Sequence, residues 1–160
     1  VENQQEEIVN EILKYDGDLD LKTFKGSSAL SLAAIRPSFS IVAALLKQGA
    51  SVCQITGGRH FRSAIFLASD RGRLNNVKEM LKYKPDINFR VGDLDLTALM
   101  VAVIKNHYDI VRLLLKQEKV DINLKSKEGK DAMQFAIDNL NSQIIVLLAM
   151  SGARFSKKSQ

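Results

Sequence analysis

The sequence has little of several residues that would point to particular classes of protein. It contains one cysteine, Cys53, so an intramolecular disulfide framework is excluded and the redox compartment stays open. The longest stretch without a charged residue, 139–153, has only 15 residues and includes Asn, Ser and Gln. Such a stretch is too short and too polar to cross a membrane, so the sequence predicts no membrane span.

The chain also lacks the residue patterns of catalysis and metal binding. Its two histidines, His60 and His107, lie far apart, and neither has a cysteine or a second histidine at metal-ligand spacing. Cys53 has no local context that would make it a nucleophile. The glycine-containing run 55–61 lacks the spacing of a phosphate-binding loop, and the acidic residues form no repeated carboxylate pair. We therefore predict a protein that is not an enzyme and that binds neither metal nor cofactor.

Charge is spread unevenly over a chain of ordinary globular composition. With 160 residues, 46% hydrophobic and 26% charged, the chain can bury one substantial core and is expected to form one domain. Residues 1–20 carry seven acids and one base, whereas 21–160 carry 22 bases and 11 acids. This basic majority suggests an acidic partner, and a solvated charged surface is the alternative. The basic runs come without a recognition helix or a stacking-aromatic platform, which argues against nucleic acid.

One segment of 20 residues occurs four times along the chain without an internal gap. The copies begin at Ser28, Ser63, Thr97 and Asp131, and each has alanine at its second and sixth positions. The sixth-position alanines are spaced 35, 34 and 34 residues apart. A period of this length is typical of stacked supersecondary units that bury their apolar faces on one another.

Each copy has the pattern of two short helices joined by a turn. In the third copy, the polar residues Lys105, Asn106 and His107 separate an alanine-centred apolar segment from one whose apolar residues recur at i, i+3 and i+4. The first residue of every copy has a side-chain oxygen and is placed to cap the first helix. Gly72 and Asn106, in the turns of the second and third copies, tolerate a left-handed helix end. Short extended runs are predicted between the hairpins at 51–55, 86–90 and 121–125.

The order [ST]-A-L-x-x-A, then V-x-x-L-L, then D-I-N resembles the ankyrin repeat over nearly the whole chain. The resemblance implies an all-α solenoid of helix–turn–helix units with short hairpin loops. It divides one ankyrin-repeat domain, 1–160, into a half-repeat at 6–22 and full repeats at 23–55, 56–90, 91–125 and 126–160, the last a C-terminal cap. The sequence departs from the family pattern by alanine in place of the T-P-L-H proline, by Pro37 in the first turn, and by an extra residue in the loop 117–123.

The resemblance also implies that a partner protein docks on a concave face built from hairpin tips and exposed first-helix positions. The corresponding positions around the hairpins are Phe24 and Lys25; Arg59, His60 and Arg62; Asp93, Leu94 and Leu96; Lys127 and Lys130. The corresponding positions at the ends of the first helices are Ile35 and Arg36; Asp70 and Arg71; Ile104 and Lys105; and Asp138.

Two patterns among these positions favour an interface. Ile35 and Ile104 are large apolar residues expected to face water, and Phe24, Leu94 and Leu96 fall in the same strip, as in exposed apolar patches that mark binding sites.

Arg36, Arg71 and Lys105 occupy equivalent positions in three successive repeats and predict a cationic stripe, which Arg59 and Arg62 extend. Ordinary solvated side chains, with Ile35 packed beside Pro37, are the alternative. The partner expected from both patterns is a protein with an acidic and partly apolar surface, and the chain alone is expected to be a monomer.

Two functions remain open on these grounds. The first is a binding module that inhibits by covering a partner enzyme, as bacterial self-protection (immunity-type) proteins do. The second is a scaffold or regulatory fragment of a larger multidomain protein, or an exported bacterial effector. The polar tail 156–160, which follows an apolar helix, favours a true C-terminus over an excised edge. A cytoplasmic location is the default, and a periplasmic or exported one would follow if a signal peptide preceded Val1.

Overall fold

The computed structural model describes residue 11 and residues 17–37, 39–57 and 62–153. Most of the predicted half-repeat and the positions Arg59 and His60 lie outside the described residues. Within them the chain forms eight helices in four pairs, and the predicted all-α repeat architecture is confirmed. The helices are α1 (Ala29–Ala34), α2 (Phe39–Lys47), α3 (Ala64–Asp70), α4 (Leu74–Leu81), α5 (Ala98–Ile104), α6 (Tyr108–Leu115), α7 (Ala132–Asp138) and α8 (Ser142–Met150).

The predicted helix caps are confirmed in all four repeats. Each residue that begins a copy is extended, and its side-chain oxygen accepts a hydrogen bond from the backbone N–H three residues on. The Asp131 carboxylate makes this bond at 2.9 Å, to the N–H of Gln134. The first helices have only six or seven residues, so one satisfied N–H is a large share of the donors that would otherwise lack a partner.

The first helices pack side by side in one row and the second helices in another. The small residues expected at the centre of the first row are buried, with Ala68, Ala102 and Ala136 fully inaccessible and Ala33 7% exposed. In the second row, Val42, Val77 and Val111 are likewise fully buried. Both rows belong to one continuous core, as expected for repeats that cannot bury an apolar face alone.

The turn between paired helices requires a left-handed residue in three repeats. Gly72 and Asn106 have φ of 68° and 58°, which confirms the prediction for the second and third copies. The fourth copy places Leu140 in the same conformation, with φ of 54° and a side chain that is 87% exposed. In this conformation leucine is sterically strained and glycine is not. Because the Leu140 side chain is exposed, its packing offsets little of that strain.

The segments predicted as short extended runs are turns instead. In the D-I-N motif the Asp86 carboxylate accepts a hydrogen bond from the N–H of Asn88 at 3.0 Å, and Asp121 does the same for Asn123. The aspartate side chain therefore stabilises a turn in place of an extended backbone. The alternation of residue types does not reveal this local hydrogen bond. The Asn88 amide in turn donates to the Lys119 carbonyl at 2.7 Å and accepts from the N–H of Asp121. These bonds join the loops of neighbouring repeats.

Replacing Leu140 by glycine is expected to raise the free energy of unfolding by about 1 kcal/mol, because the left-handed backbone is then unstrained. The Leu140→Ala variant is the matched control, since it removes the exposed side chain but keeps a Cβ at positive φ. Urea unfolding followed by circular dichroism measures both. Equal stability of the two variants would show that backbone strain at this turn contributes nothing.

Candidate protein-binding site

The hairpins that precede the first helices form a row of loops. Isolated bridges close the first three, between Lys22 and Ser28, Ile55 and Ser63, and Val91 and Leu96. In the fourth, the N–H of Ser126 donates to the Lys130 carbonyl at 2.8 Å. Each hairpin thus leads directly into the cap of its first helix.

Backbone hydrogen bonds tie hairpins of neighbouring repeats together. The Gly57 N–H donates to the Gly26 carbonyl at 2.7 Å, and the Lys127 N–H donates to the Leu94 carbonyl at 2.9 Å. The first contact requires glycine, because a Cβ on Gly26 would lie 2.5 Å from the Gly57 Cα, and Gly26 has φ of +78°. The first hairpin is therefore joined to the second, and the third to the fourth, where their backbones touch.

In the fourth repeat, a predicted hairpin position and a predicted helix-end position lie on the same side of α7. Lys130, in the hairpin, reaches past α7 to the Asp138 carboxylate at its end, with Nζ and Oδ2 2.9 Å apart. The Gln134 amide, midway between them, donates to the other carboxylate oxygen at 2.9 Å. We call the surface formed by the hairpins and by this side of the first helices the inner face.

Gln134 was missed by the sequence reasoning, although its spacing could have revealed it. Residues 130, 134 and 138 follow one another at intervals of four, which places the latter two on one helix face. The hydrogen bond that Lys130 donates to the Asp138 carboxylate raises the pKa of Lys130, with the carboxylate charge as the second cause. Lys130 therefore stays protonated through neutral pH. The stability that its ion pair with Asp138 contributes is lost only as pH rises through the raised pKa of Lys130.

Two of the three residues in the predicted cationic stripe share one carboxylate. Asp70 lies between two of its members, with a carboxylate oxygen 3.4 Å from Arg71 Nε and another 3.9 Å from Lys105 Nζ. Both basic side chains are more than half exposed, so these ion pairs are weak. Because one carboxylate faces two cations, a net positive charge remains. Arg36, the third member, is exposed at the end of α1.

The predicted apolar strip is less exposed than expected. Ile35 and Ile104 are half-buried rather than open to water. Each lies where the next repeat closes on the helix end, since Arg73 Nε donates to the Ile35 carbonyl at 2.9 Å and the Asn139 amide to the Ile104 carbonyl at 3.0 Å. Leu96 packs against Phe66, Val91 and Val101 in a small cluster beneath the hairpins. Those three expectations of exposure were wrong.

The hairpin tips carry the apolar residues that do face water. Phe24 is 97% exposed and Leu94 45% exposed. Lys25, Asp93 and Lys127 on the same loops are also exposed, whereas Arg62 is half-buried. The hairpin edge of the inner face therefore mixes exposed apolar and charged side chains, and the helix ends are charged.

A cavity of about 720 Å³ lies elsewhere, between the loops that follow α4 and α6. Its lining includes Leu81, Pro85 and Ile87 together with several lysines, and none of the predicted site residues contributes to it. Exposed, unpaired Cys53 borders it. Among the described residues no group of three or more His, Cys, Asp or Glu could hold a metal ion, and no helix is long and apolar enough to span a membrane.

Comparison with known proteins agrees with this architecture. The family model described as "Ankyrin repeats (3 copies)" matches residues 1–91 and 65–159, which together span almost the entire chain.

Three relatives come from different kinds of organism. An I-Kappa-B like protein C2 of Microplitis demolitor bracovirus is 31% identical over 51% of this chain and 45% of its own length. The nuclear factor NF-kappa-B p105 subunit of Gallus gallus is 25% identical over 94% of this chain and 15% of its own. The ankyrin repeat and KH domain-containing protein mask-1 of Caenorhabditis elegans is 34% identical over 56% of this chain and 3% of its own. The aligned part is less than half of each relative.

Replacing Gly26 by alanine is expected to lower the free energy of unfolding by about 2–4 kcal/mol, because the new Cβ meets the Gly57 backbone and the left-handed φ is strained. Gly129→Ala is the matched control, since Gly129 has φ of +75° and nothing lies within 4 Å of the position that its Cβ would take. It is expected to cost about 1 kcal/mol.

Urea unfolding gives both free energies, and amide hydrogen exchange of Gly57 reports directly on the hairpin contact. Equal losses in the two variants would mean that the hairpins are not held by this contact.

Proposed function

Because the chain belongs to the ankyrin repeat family, a family of protein–protein interaction modules, we propose that it binds one partner protein through the inner face and inhibits that partner by covering its functional surface. The observation that carries this proposal is the inner face itself. Its exposed aromatic tip, its basic helix ends and the backbone hydrogen bonds that join its hairpins in two pairs supply the anchors and the defined geometry that a specific interface needs. No chemistry beyond binding is required of it.

The charge of the inner face favours an acidic partner. Its described site positions include seven basic and three acidic residues. Two of the acids, Asp70 and Asp138, are already engaged with bases of the same face, at 3.4 Å from Arg71 and 2.9 Å from Lys130. The surplus of positive charge accelerates encounter with a negatively charged surface and makes the association depend on ionic strength.

The exposed apolar residues of the hairpins define the second requirement of the partner. Phe24 and Leu94 are exposed, and burying them on association would add hydrophobic free energy that charge pairs alone do not supply. A partner with an acidic surface beside an apolar pocket satisfies both requirements.

The names of two relatives direct the search for this partner. One is an I-Kappa-B like protein and the other an NF-kappa-B subunit. NF-kappa-B proteins are therefore the first candidates to test, with a companion enzyme as the next candidate for a self-protection role. Inhibition by occlusion needs no second domain, since a protein that covers an active site or an interface acts by binding alone.

A scaffold or regulatory module within a longer protein is the second candidate function. It is favoured by the coverage of the relatives, of which the aligned region is 15% of the p105 subunit and 3% of mask-1. In that arrangement the inner face would still bind, and its partner would be recruited rather than inhibited.

Affinity capture with the wild-type chain, followed by an activity assay of the captured protein, tests the proposal. Phe24→Ala is expected to weaken binding about 30-fold, corresponding to about 2 kcal/mol for an aromatic anchor. Arg36→Glu is expected to slow association and to flatten its salt dependence. Lys47→Glu, at an exposed end of α2 outside the inner face, is the matched control and should bind as wild type does.

Three outcomes would contradict parts of the proposal. Equal binding by wild type and Phe24→Ala would move the interface away from the inner face. Loss of binding in Lys47→Glu alone would place it on the second helices. A captured protein whose activity is unchanged when saturated would support recruitment and reject inhibition.

A further inference from the structure

The cavity between the loops that follow α4 and α6 combines apolar residues with exposed lysines. Of its apolar lining residues, Pro85 and Ile87 are buried and Leu81 is half-buried. Its volume of about 720 Å³ lies within the range of pockets that hold small organic ligands. We call it the loop cavity.

A smaller cavity of about 220 Å³ borders the loop cavity. The two share three lining residues, Cys53, Pro85 and Asp86. The rest of the smaller cavity is mostly apolar and is lined by Val52, Ser63, Ile65 and Phe89. The adjoining space therefore extends the apolar surroundings that a ligand in the loop cavity meets.

Three departures from the repeat pattern lie at the loop cavity, and the first is Lys84. It occupies the position of Gly49 and Gly152 in the first and fourth repeats. Like them it has a positive φ, 51° compared with 99° and 91°. A lysine in this conformation is strained and a glycine is not. The chain therefore retains a cation at the loop cavity at a cost in stability.

The other two departures change the loops that line the cavity. The Asn88 amide joins neighbouring loops, because it donates to the Lys119 carbonyl at 2.7 Å and accepts from the Asp121 N–H at 2.9 Å. Cys53 occupies the equivalent position in the first repeat, and a thiol is too weak a donor and acceptor to replace these bonds. The loop 117–123 carries one extra residue. All three departures thus fall on residues that line one cavity.

The charges of the lining favour an anion. Lys84, Lys116 and Lys119 are exposed, and within the part of the chain that the structure describes none of them forms an ion pair. Asp86 and Glu118 also line the cavity, so three lysines and two acids give it a net charge of +1. The Asp86 carboxylate already accepts the hydrogen bond of its D-I-N turn at 3.0 Å. An anion therefore meets a net attraction and a cation a net repulsion.

We propose that the loop cavity binds a small organic anion, a molecule with one carboxylate, phosphate or sulfonate group on an apolar body. Lys84 and Lys119 attract the anionic group, and Leu81, Pro85 and Ile87 contact the apolar body. Lysine ammonium groups are point charges on flexible chains, so they accept anions of differing geometry. The site therefore selects for charge and apolar bulk, and it is separate from the inner face.

Anilinonaphthalene sulfonate is the probe that tests the proposal, because it joins one sulfonate to an aromatic body. Cys53 reports on occupancy, since it is the sole cysteine of the chain, is exposed and borders the loop cavity. With the probe at about ten times its dissociation constant, iodoacetamide is expected to alkylate Cys53 about tenfold more slowly. Mass spectrometry of the intact chain measures this rate.

Two related molecules separate the effect of charge from that of the apolar body. Phenylnaphthylamine has the same body without the sulfonate, and it should bind at least about tenfold less tightly, as measured by the same protection of Cys53. Inorganic sulfate has the charge without the body, and it should leave the alkylation rate unchanged at the same concentration.

Lys84→Gly with Lys119→Gln removes two cations from the lining. The variant is expected to fold, because glycine occupies the position of Lys84 in two other repeats. It should raise the dissociation constant of the probe about tenfold, and Lys84→Gly alone should raise it about threefold. Arg36→Gln with Arg71→Gln is the matched control, since it removes the same charge from the inner face and should leave the protection of Cys53 unchanged.

The proposal is overturned if the probe leaves the alkylation rate of Cys53 unchanged, even where its fluorescence shows that it binds elsewhere on the chain. It is also overturned if phenylnaphthylamine or sulfate protects Cys53 as the probe does, or if the inner-face variant loses protection and the cavity variant keeps it. Protection by a glutamate-rich peptide and not by the probe would assign the cavity to a protein segment instead. None of these results bears on the inner face as a partner site, because no predicted site residue lines the loop cavity.

Discussion

The distance between neighbouring first helices is set by one alanine in each repeat, and the rest of the structure depends on it. At Ala68, Ala102 and Ala136 no side-chain atom beyond Cβ separates the packed helices, and all three are fully buried. This spacing also brings the hairpins close enough for Gly26 and Gly57 to bond through their backbones at 2.7 Å. A larger side chain at these positions would push apart both the helices and the hairpins. The packing of the core and the contacts between hairpins therefore depend on the same alanines.

Polar side chains complete this stacking at the carboxyl ends of the first helices. The Asn76 amide donates to the carbonyls of Ala34 and Arg36 at 2.9 and 2.8 Å, and Asn139 donates to that of Ile104 at 3.0 Å. His107 bonds with the Asp70 carbonyl at 3.2 Å. Each repeat thereby satisfies acceptors that the short helix of its predecessor leaves open. At the first turn, where Pro37 stands in place of glycine, Asn76 supplies these bonds.

The sequence predicted the features that depend on local chemistry. The periodic alanines, the capping side chains, and Gly72 and Asn106 in their turns are each determined by a backbone requirement within a few residues. The features it did not predict depend on neighbours in space. Asp70 is shared by Arg71 and Lys105 from two repeats, and Leu96 enters a cluster under the hairpins. Ile35 and Ile104 are half-buried where side chains of the next repeat bond to their carbonyls. The D-I-N turns were missed because β-branched residues beside aspartate suggest extension.

The repeated junction has a consequence for how such a chain can change over generations. Described helices contact their own partner and the equivalent helices of adjacent repeats. Duplicating or deleting an interior unit of 34 residues would therefore create one new junction between surfaces that already fit a similar neighbour. Gene-level changes in length are thus less disruptive here than in a fold whose distant segments must meet. Divergence can then act on the hairpin residues of a single copy while the other copies preserve the fold.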